Sequence, residues 1–368
     1  MTIRIATFNV ENLFRRPHVF ALDDAAERQR ILEDFALLVS LLDHETYTDE
    51  DKETVVGILE RHDAADSQSR DRPIVVNQTR GGAKLFKAGQ GGGIEITAKG
   101  RAHWVGWAEL VRDDVNGEAL QNTGRVIAEV DADILLAVEV EDRLTLERFN
   151  NQVLAGRMGE KRYPFNMLID GNDSRGIDIG LLSRRPVTSV RSHIFDGAPG
   201  RPPVFSRDCP EFEVELGDGQ PLWVLGNHFK SKGFGAPAVS AKKREAQARR
   251  VKEIYEDALR RTPLVTVAGD LNDSPDSEPI GLLLDTGLRD AMSHSGYTGP
   301  PGTYGTGNSL RQKIDYLMFS PDLFEAVRAV EVERRGIWAP DTFDSFPTVT
   351  SKTTQASDHA ALYADLDV

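Results

Sequence analysis

Cysteine is nearly absent from this chain: Cys209 is the only one in 368 residues. A single thiol excludes an intramolecular disulfide and fits a reducing compartment. Nothing in the chain has the Cys/His spacing of a zinc site. No apolar run approaches the length that crosses a bilayer. The N-terminal stretch Met-Thr-Ile-Arg-Ile-Ala-Thr-Phe-Asn lacks the long apolar region of a signal peptide, and a cytoplasmic location is the expectation. An excess of positive charge is missing too. Lys and Arg number 44 against 58 Asp and Glu, a formal net charge of −14. Gripping long nucleic acid by electrostatics alone calls for a basic chain, which argues against high non-specific affinity while leaving room for a local basic groove. No short repeat and no disordered tail stand out.

What the chain does have is an ordinary globular balance, 40% hydrophobic and 28% charged, at a length that suits one large domain or two small ones. Its most informative stretch is Pro263 to Asn272. Leu264, Val265 and Val267 form a short apolar, β-branched run that predicts a buried strand. The run stops at Gly269 and delivers Asp270 and Asn272, two residues apart, which extended geometry points the same way. A carboxylate and an amide side by side at a strand end suit a hard cation or a reacting phosphate. Alone, they equally describe an Asp/Asn turn.

The pattern recurs along the chain. A strand over residues 3–8 ends in Asn9 and Glu11. Asp133 to Glu141 is nearly all apolar until it emits Glu139, which at the end of a buried strand must be paired, solvated or metal-bound. Arg175 to Ser183 reads as a strand with Asp178 inside an apolar run, and Arg175 is the expected partner of that acid. Leu222 to Lys232 is a core strand running out at His228, with Lys230 and Lys232 just beyond. Arg207 precedes an alternation through Phe212, Val214 and Leu216. A strand over Lys313 to Phe319 carries Asp315 inward, and Asp358 and His359 precede a final strand. Helices are expected within 21–62, over Trp104 to Val130 with a break near Gly117, over Leu144 to Ala155, over Pro237 to Arg261 and over Ile280 to Leu284. Ile74 to Val76 is expected to pair with Gly93 to Thr97 around a mobile glycine-rich tip at 89–93. Without a Lys-Ser/Thr ending and a following helix, that tip is a poor phosphate loop.

Together, six strand ends supply Asn9 and Glu11, Glu139, His228, Asp270 and Asn272, Asp315, and Asp358 with His359. Acids converging on one edge repel unless a divalent cation neutralises them, and carboxylate and amide oxygens select Mg²⁺ or Mn²⁺. The order of these motifs resembles the endonuclease/exonuclease/phosphatase superfamily, the deoxyribonuclease I-like fold. The resemblance rests on Phe-Asn-Val-Glu-Asn-Leu (8–13), Leu-Ala-Val-Glu (136–139), Arg-Gly-Ile-Asp-Ile-Gly-Leu-Leu-Ser (175–183), Asn-His-Phe-Lys-Ser-Lys (227–232), Gly-Asp-Leu-Asn (269–272), Ile-Asp-Tyr (314–316) and Ser-Asp-His (357–359). It implies an α/β fold, a four-layer α/β/β/α sandwich of two mixed β-sheets flanked by helices, as one catalytic domain over 1–368. One departure is an insertion at about 16–121, where the family usually has a short link. Carrying helices, a hairpin and Trp104 with Trp107, it is expected to act as a lid or a substrate-selecting wall.

The resemblance also implies roles. Glu139 becomes the principal metal ligand, helped directly or through water by Asn9, Glu11 and Asp358. Asp270 orients or deprotonates the attacking water, and Asn272 donates to a phosphate oxygen or holds Asp270. His359, oriented by Asp315, contacts the phosphate. His228 stabilises the pentavalent phosphorus or protonates the leaving group, and which histidine is the acid stays open. Arg207 matches a phosphate-gripping position, and Arg175, Asp178, Lys230 and Lys232 complete the expected substrate-binding set. The reading is a Mg²⁺- or Mn²⁺-dependent phosphodiester hydrolase whose partner is nucleic acid, a nuclease acting on DNA or RNA. The alternative, motivated by net charge and insertion, is a phosphodiesterase or phosphatase of the same fold acting on a small molecule or lipid headgroup. A third reading is an inactive binding module.

Overall fold

The computed structural model describes residues 2–368 apart from 14–16, 23, 66–71, 80, 90–92, 113–115, 174, 218, 234 and 235. The chain divides into two units, Met1–Phe14 with Val115–Val368, and Arg15–Asp114. Strand β1 (Thr2–Leu13) opens the larger unit. The smaller unit then holds α1 (Ala25–Leu42), α2 (Asp49–Arg61), β2 (Ile74–Gln78), β3 (Phe86–Ala88), β4 (Ile94–Ile96) and β5 (Gly106–Leu110). The larger unit resumes with α3 (Gly117–Val130), β6 (Ile134–Val140), α4 (Arg143–Phe149), α5 (Ala155–Met158), β7 (Phe165–Leu168), β8 (Asp178–Ser183) and β9 (Val187–Arg191). Next come β10 (Glu211–Glu215), β11 (Pro221–His228), α6 (Pro237–Leu259), β12 (Val265–Asp270), α7 (Glu278–Leu284) and β13 (Arg289–Asp290). It closes with β14 (Asp315–Phe319), α8 (Pro321–Glu325), β15 (Val327–Glu333) and β16 (Ala361–Asp367).

Two six-stranded sheets organise the larger unit, in the orders β15-β16-β1-β6-β8-β7 and β13-β14-β12-β11-β10-β9. Both are mixed: β1 runs parallel to β6 and antiparallel to β16, and β11 runs parallel to β12 and antiparallel to β10. Period-two alternation splits each central strand between two cores. Ile134, Leu136 and Val138 of β6 join Leu222 and Val224 of β11 in the core between the sheets. Leu135 and Ala137 face the opposite way, onto Val126, Ile127 and Val130 of α3. Trp223 and Leu225 likewise turn outward onto Val251, Ile254 and Tyr255 of α6. The result is an α/β/β/α sandwich of two mixed sheets, with the C-terminal ends of β1, β6, β11 and β12 gathered at one rim.

The smaller unit has a core of its own, in which Ile31 and Leu38 of α1 meet Val55, Ile58 and Leu59 of α2 together with Trp104. Thr48 and Asp51 form a reciprocal capping box at the start of α2, which fixes where that helix begins. The Trp104 indole N–H donates to the Tyr47 hydroxyl at 2.8 Å. Two expectations are corrected here. The stretch after Trp104 is strand β5, paired antiparallel with β2 from Ile74↔Leu110 to Gln78↔Gly106. Its burial alternates between Gly106 and Leu110 inside and Trp107 outside, a period of two in place of the helical period expected there. Ile74 to Val76 accordingly does not pair with Gly93 to Thr97; β4 pairs with β3 instead. Of the glycine-rich tip, 90–92 lie outside the described residues.

Residues 117–121, counted with the insertion by sequence, form the first turns of α3 in the larger unit. The reason is polar as well as apolar. Asn122 Nδ2 donates to Thr354 O at 2.6 Å and Thr123 Oγ1 to Ala356 O at 2.8 Å, tying α3 to the segment that leads into Asp358 and His359.

Candidate active site

The side chains at the rim are presented by strands that leave regular geometry as they end. Glu11, Glu139 and Asn272 have φ of +50°, +67° and +53°, in the left-handed region that L side chains rarely adopt. The register of β1 against β6 shifts between Asn9 and Leu13, and that of β6 against β8 between Val138 and Val140. These are bulges, and a bulge re-aims the residue it inserts. Gly269 has φ +126°, and a Cβ there would lie 1.9 Å from the Asn227 carbonyl oxygen. Only glycine lets β12 lie this close to β11 and deliver Asp270 beside His228.

His359 and Asp315 form the most tightly held pair. His359 Nδ1 donates to Asp315 Oδ2 at 2.8 Å, which leaves Nε2 facing Asp270 Oδ2 at 3.9 Å. Thr303 Oγ1 donates to the same Asp315 oxygen at 2.7 Å and accepts from the Asp315 backbone N–H at 3.1 Å. Burial opposes charge on the His359 ring, yet Asp315, then Asp358 and Asp270, hold it well above the ordinary histidine value. Ser357 Oγ receives the His359 N–H at 3.0 Å and donates to Asn9 O at 2.7 Å, joining the two motifs. The Tyr304 ring stands edge-on to the imidazole at 5.0 Å between centroids.

Asp270 sits at the centre. Asn9 Nδ2 donates to its Oδ2 at 3.3 Å and the Asn272 N–H to its Oδ1 at 2.8 Å. Asn272 therefore holds Asp270 through its backbone, while its side-chain amide donates to Phe229 O at 3.2 Å. Burial, then the Asp315 carboxylate, push Asp270 well above the usual carboxylate range. His228 Nε2 lies 3.8 Å from both Glu139 Oε1 and Asp270 Oδ2, too far for a hydrogen bond. Burial, followed by Arg207 and Arg175, keeps the His228 ring well below its ordinary value, hence neutral. The two histidines thus face Asp270 in opposite charge states.

On the acidic side, Glu11 Oε2 accepts the Asp358 N–H at 2.7 Å and the Gln355 amide at 3.4 Å. Asp270, Asp315 and His359 offer ligand atoms within 4.8 Å of one another, a candidate metal cluster. With Glu139, Glu11 and Asp358 beside it, the donor set is rich in oxygen and free of thiolate, which fits a hard divalent cation. The carboxylates Asp315 and Glu139 both raise Asp270, and a cation relieves that repulsion.

A cationic wall stands beside His228. Arg175 binds Asp173 through two nitrogens at 2.9 and 2.8 Å, and Arg207 Nε lies 2.9 Å from the same carboxylate. Arg207 is 3% exposed and also donates to Phe229 O at 3.1 Å. The Lys230 ammonium, lowered by burial and then by Arg207 and Arg175, belongs to this group. Lys232 instead reaches Asp273 Oδ1 at 2.6 Å. The expected Arg175–Asp178 pairing is corrected: Asp173, two residues before Arg175, accepts both its guanidinium and its backbone N–H. Asp178 accepts the Gly171 N–H at 2.8 Å, and burial, with Asp170, Asp173 and Asp208 adding to it, pushes its carboxyl up to about 7.

Sequence reading missed Asp173, Thr303, Tyr304 and Ser357. Of these only Ser357 belongs to a motif of the resemblance, Ser-Asp-His at 357–359; the others act by contacts across the fold, for which a single sequence carries no signal.

The model of the Endonuclease/Exonuclease/phosphatase family matches residues 114–359. No curated protein matches the chain. Among solved structures, truncated Caenorhabditis elegans TDP2 is 18% identical, covers 68% of this chain and 90% of its own, and has a TM-score of 0.48. An endonuclease/exonuclease/phosphatase from Beutenbergia cavernae DSM 12333 is 17% identical over 70% of this chain and 67% of its own, TM-score 0.49. A mannosyl-6-phosphatase from Bacteroides thetaiotaomicron VPI-5482 is 17% identical over 68% of this chain and 91% of its own, TM-score 0.48.

Proposed function

The chain belongs to the endonuclease/exonuclease/phosphatase family, and from that membership we propose that it is a nuclease hydrolysing phosphodiesters of DNA or RNA with Mg²⁺ or Mn²⁺. The coarser reading, a metal-dependent phosphoesterase, is supported by the fold and by the acidic surroundings of Asp270, Asp315 and His359, which favour a cation beside them. The observation that carries the finer one is the arrangement around Asp270. Acids lie on one side of it, and the fixed guanidinium groups of Arg175 and Arg207, both near enough to act on His228, lie on the other. A phosphodiester needs both, positive charge for its non-bridging oxygens and a base for its water.

Glu139, Glu11 and Asp358 are the carboxylates proposed to hold the cation, with Asn9 bracing Asp270. A divalent cation there supplies neutralisation of the phosphate charge and a more acidic water. Asp270, with an affinity for protons raised by burial, takes the proton of the attacking water. His359, kept charged by Asp315, donates through Nε2 to a phosphate oxygen, while neutral His228 lines the opposite side of the reacting group. Arg207, Arg175 and Lys230 grip the phosphate. Asp178 shapes the loop that carries Arg175, through Gly171. A cytoplasmic setting is part of this proposal, supported by the lone, buried Cys209.

The test is a substrate panel of plasmid, DNA and RNA oligonucleotides, and small phosphomonoesters and diesters, each with Mg²⁺, Mn²⁺, Ca²⁺ or EDTA. Cleavage of a polynucleotide that stops with EDTA is the expected result. Intact polynucleotides alongside turnover of a small ester would transfer the proposal to a small-molecule phosphatase or phosphodiesterase, the reading that the net charge of −14 favours.

A further inference from the structure

Arg334 follows β15 and is 9% exposed. A buried guanidinium ordinarily comes with a carboxylate, since an uncompensated charge away from water is costly. Among the described residues none stands in ion-pair range of it. Its partners all belong to one loop: Nη2 donates to Gly302 O at 2.6 Å, to Pro300 O at 3.0 Å and to the Tyr297 hydroxyl at 3.3 Å. Nη1 is buried without a hydrogen-bond partner. Gly307 makes room for it: φ there is +68°, and a Cβ would come within 2.2 Å of Nη1. The loop closes on itself around this cation, with Gly302 N–H donating to Gly307 O at 2.8 Å.

The next residue along that loop is Thr303, whose hydroxyl holds Asp315 against His359. Tyr304, packed on the His359 ring, follows, and Gly305 N–H donates to Asp358 O at 2.8 Å. The turn that begins at Arg334 also reaches the histidine from the other side. Gly336 O accepts the Ala356 N–H at 2.8 Å, three residues before His359. One turn therefore fixes both the loop that orients Asp315 and the segment that delivers His359.

We propose that Arg334 is a positioning residue for His359, the internal cation that pins residues 297–307 and so sets how Thr303 and Tyr304 hold the Asp315–His359 pair. It touches neither substrate nor metal. Its kinetic consequence rests on the phosphoesterase reading; its structural consequence does not.

The experiment compares the full chain with Arg334→Met and Arg334→Lys. Turnover of bis-para-nitrophenyl phosphate with Mn²⁺ is measured alongside thermal melting. The downfield proton resonance of His359 Nδ1–H, assigned by its loss in His359→Gln, is followed in metal-free protein. In Arg334→Met, kcat falls by about tenfold to a hundredfold, as expected when a reacting group is misplaced, while KM holds within about threefold. The resonance broadens or disappears in a protein that still melts cooperatively, and Arg334→Lys recovers part of both. Unchanged kcat, or an unchanged His359 signal, overturns the proposal, as does a loss of kcat that only tracks the folded fraction. Should Arg334→Met fail to fold, Gly307→Ala is read in its place, because its methyl displaces Nη1 directly. If the unaltered chain turns over neither polynucleotides nor the nitrophenyl ester, the phosphoesterase reading fails, and the His359 resonance still decides on the pin.

Discussion

Glu139 illustrates how much a single residue's meaning depends on where the backbone turns. It is the penultimate residue of β6, whose other members are buried, and takes a left-handed conformation where the register shifts between Val138 and Val140. A strained glutamate next to a neutral histidine is hard to justify by packing alone, whereas a cation ligand needs that exposure. Glu139→Gln is expected to lower kcat by about a hundredfold or more while leaving the melting temperature within a few degrees. A fully active variant would remove Glu139 from the site. Asp178 offers a pH prediction that does not involve the reaction. Its folded-state carboxyl is raised to about 7 by burial, above the ordinary 3.8 of an exposed aspartate. Between those values the folded chain binds a proton that the unfolded chain does not, so stability falls as pH rises through this window and levels off above about 7. Asp178→Asn keeps an oxygen for the Gly171 N–H and removes the titration. It is expected to flatten that part of the curve and to gain on the order of 2–4 kcal/mol at pH 8. Urea melts at pH 5 and pH 8 decide it, and a variant with the parent's slope would show that the group titrates normally.

At the level of elements, the parallel pair β11 and β12 depends on Gly269. With φ at +126° and the Asn227 oxygen 1.9 Å from where a Cβ would sit, Gly269→Ala must push the two strands apart at the end that carries His228 and Asp270. A loss of about 3 kcal/mol or more is expected, read as a lower urea midpoint, together with lost activity. Gly281, inside α7 with open space around its Cβ position, is the control. Gly281→Ala should be neutral or stabilising by about 0.5–1 kcal/mol. Equal effects at the two positions would contradict the close approach. Element assignments failed where the apolar pattern was short. Gly106 to Leu110 has too few residues to separate a period of two from a helical period, and the pairing with β2, from Ile74↔Leu110 to Gln78↔Gly106, settles it. Long strands such as β6 and β11 were legible because their apolar runs end abruptly at a charged or polar residue.

For the molecule as a whole, acids gathered at one rim of a chain already at −14 predict a folded state that cations stabilise. Mg²⁺ or Mn²⁺ at roughly a hundred times its dissociation constant is expected to stabilise the folded chain by about 2.7 kcal/mol, a rise of a few degrees in melting temperature over EDTA. The rise should shrink in Glu139→Gln. An identical melt with EDTA and with Mn²⁺ would argue that no cation binds. The family model spans 114–359, whereas the Arg15–Asp114 unit folds around its own core and, but for its last residue, lies outside that match.

The sequence by itself determined the central strands β1, β6, β8, β11, β12, β14 and β16, which residue types stand at or beside their ends and, through the order of seven motifs, the fold they build. Those properties are local: a strand announces its two faces by alternation, and a polar residue that breaks an apolar run needs no neighbours to be noticed. Only the tertiary structure decided who holds whom. Asp173 rather than Asp178 faces Arg175, Thr303 steadies Asp315, and Arg334 reaches Gly302 from 32 residues away. The same fold gave the two histidines opposite charges, since His228 lies buried among arginines and His359 among carboxylates, and that depends on distances through space that chain order does not contain.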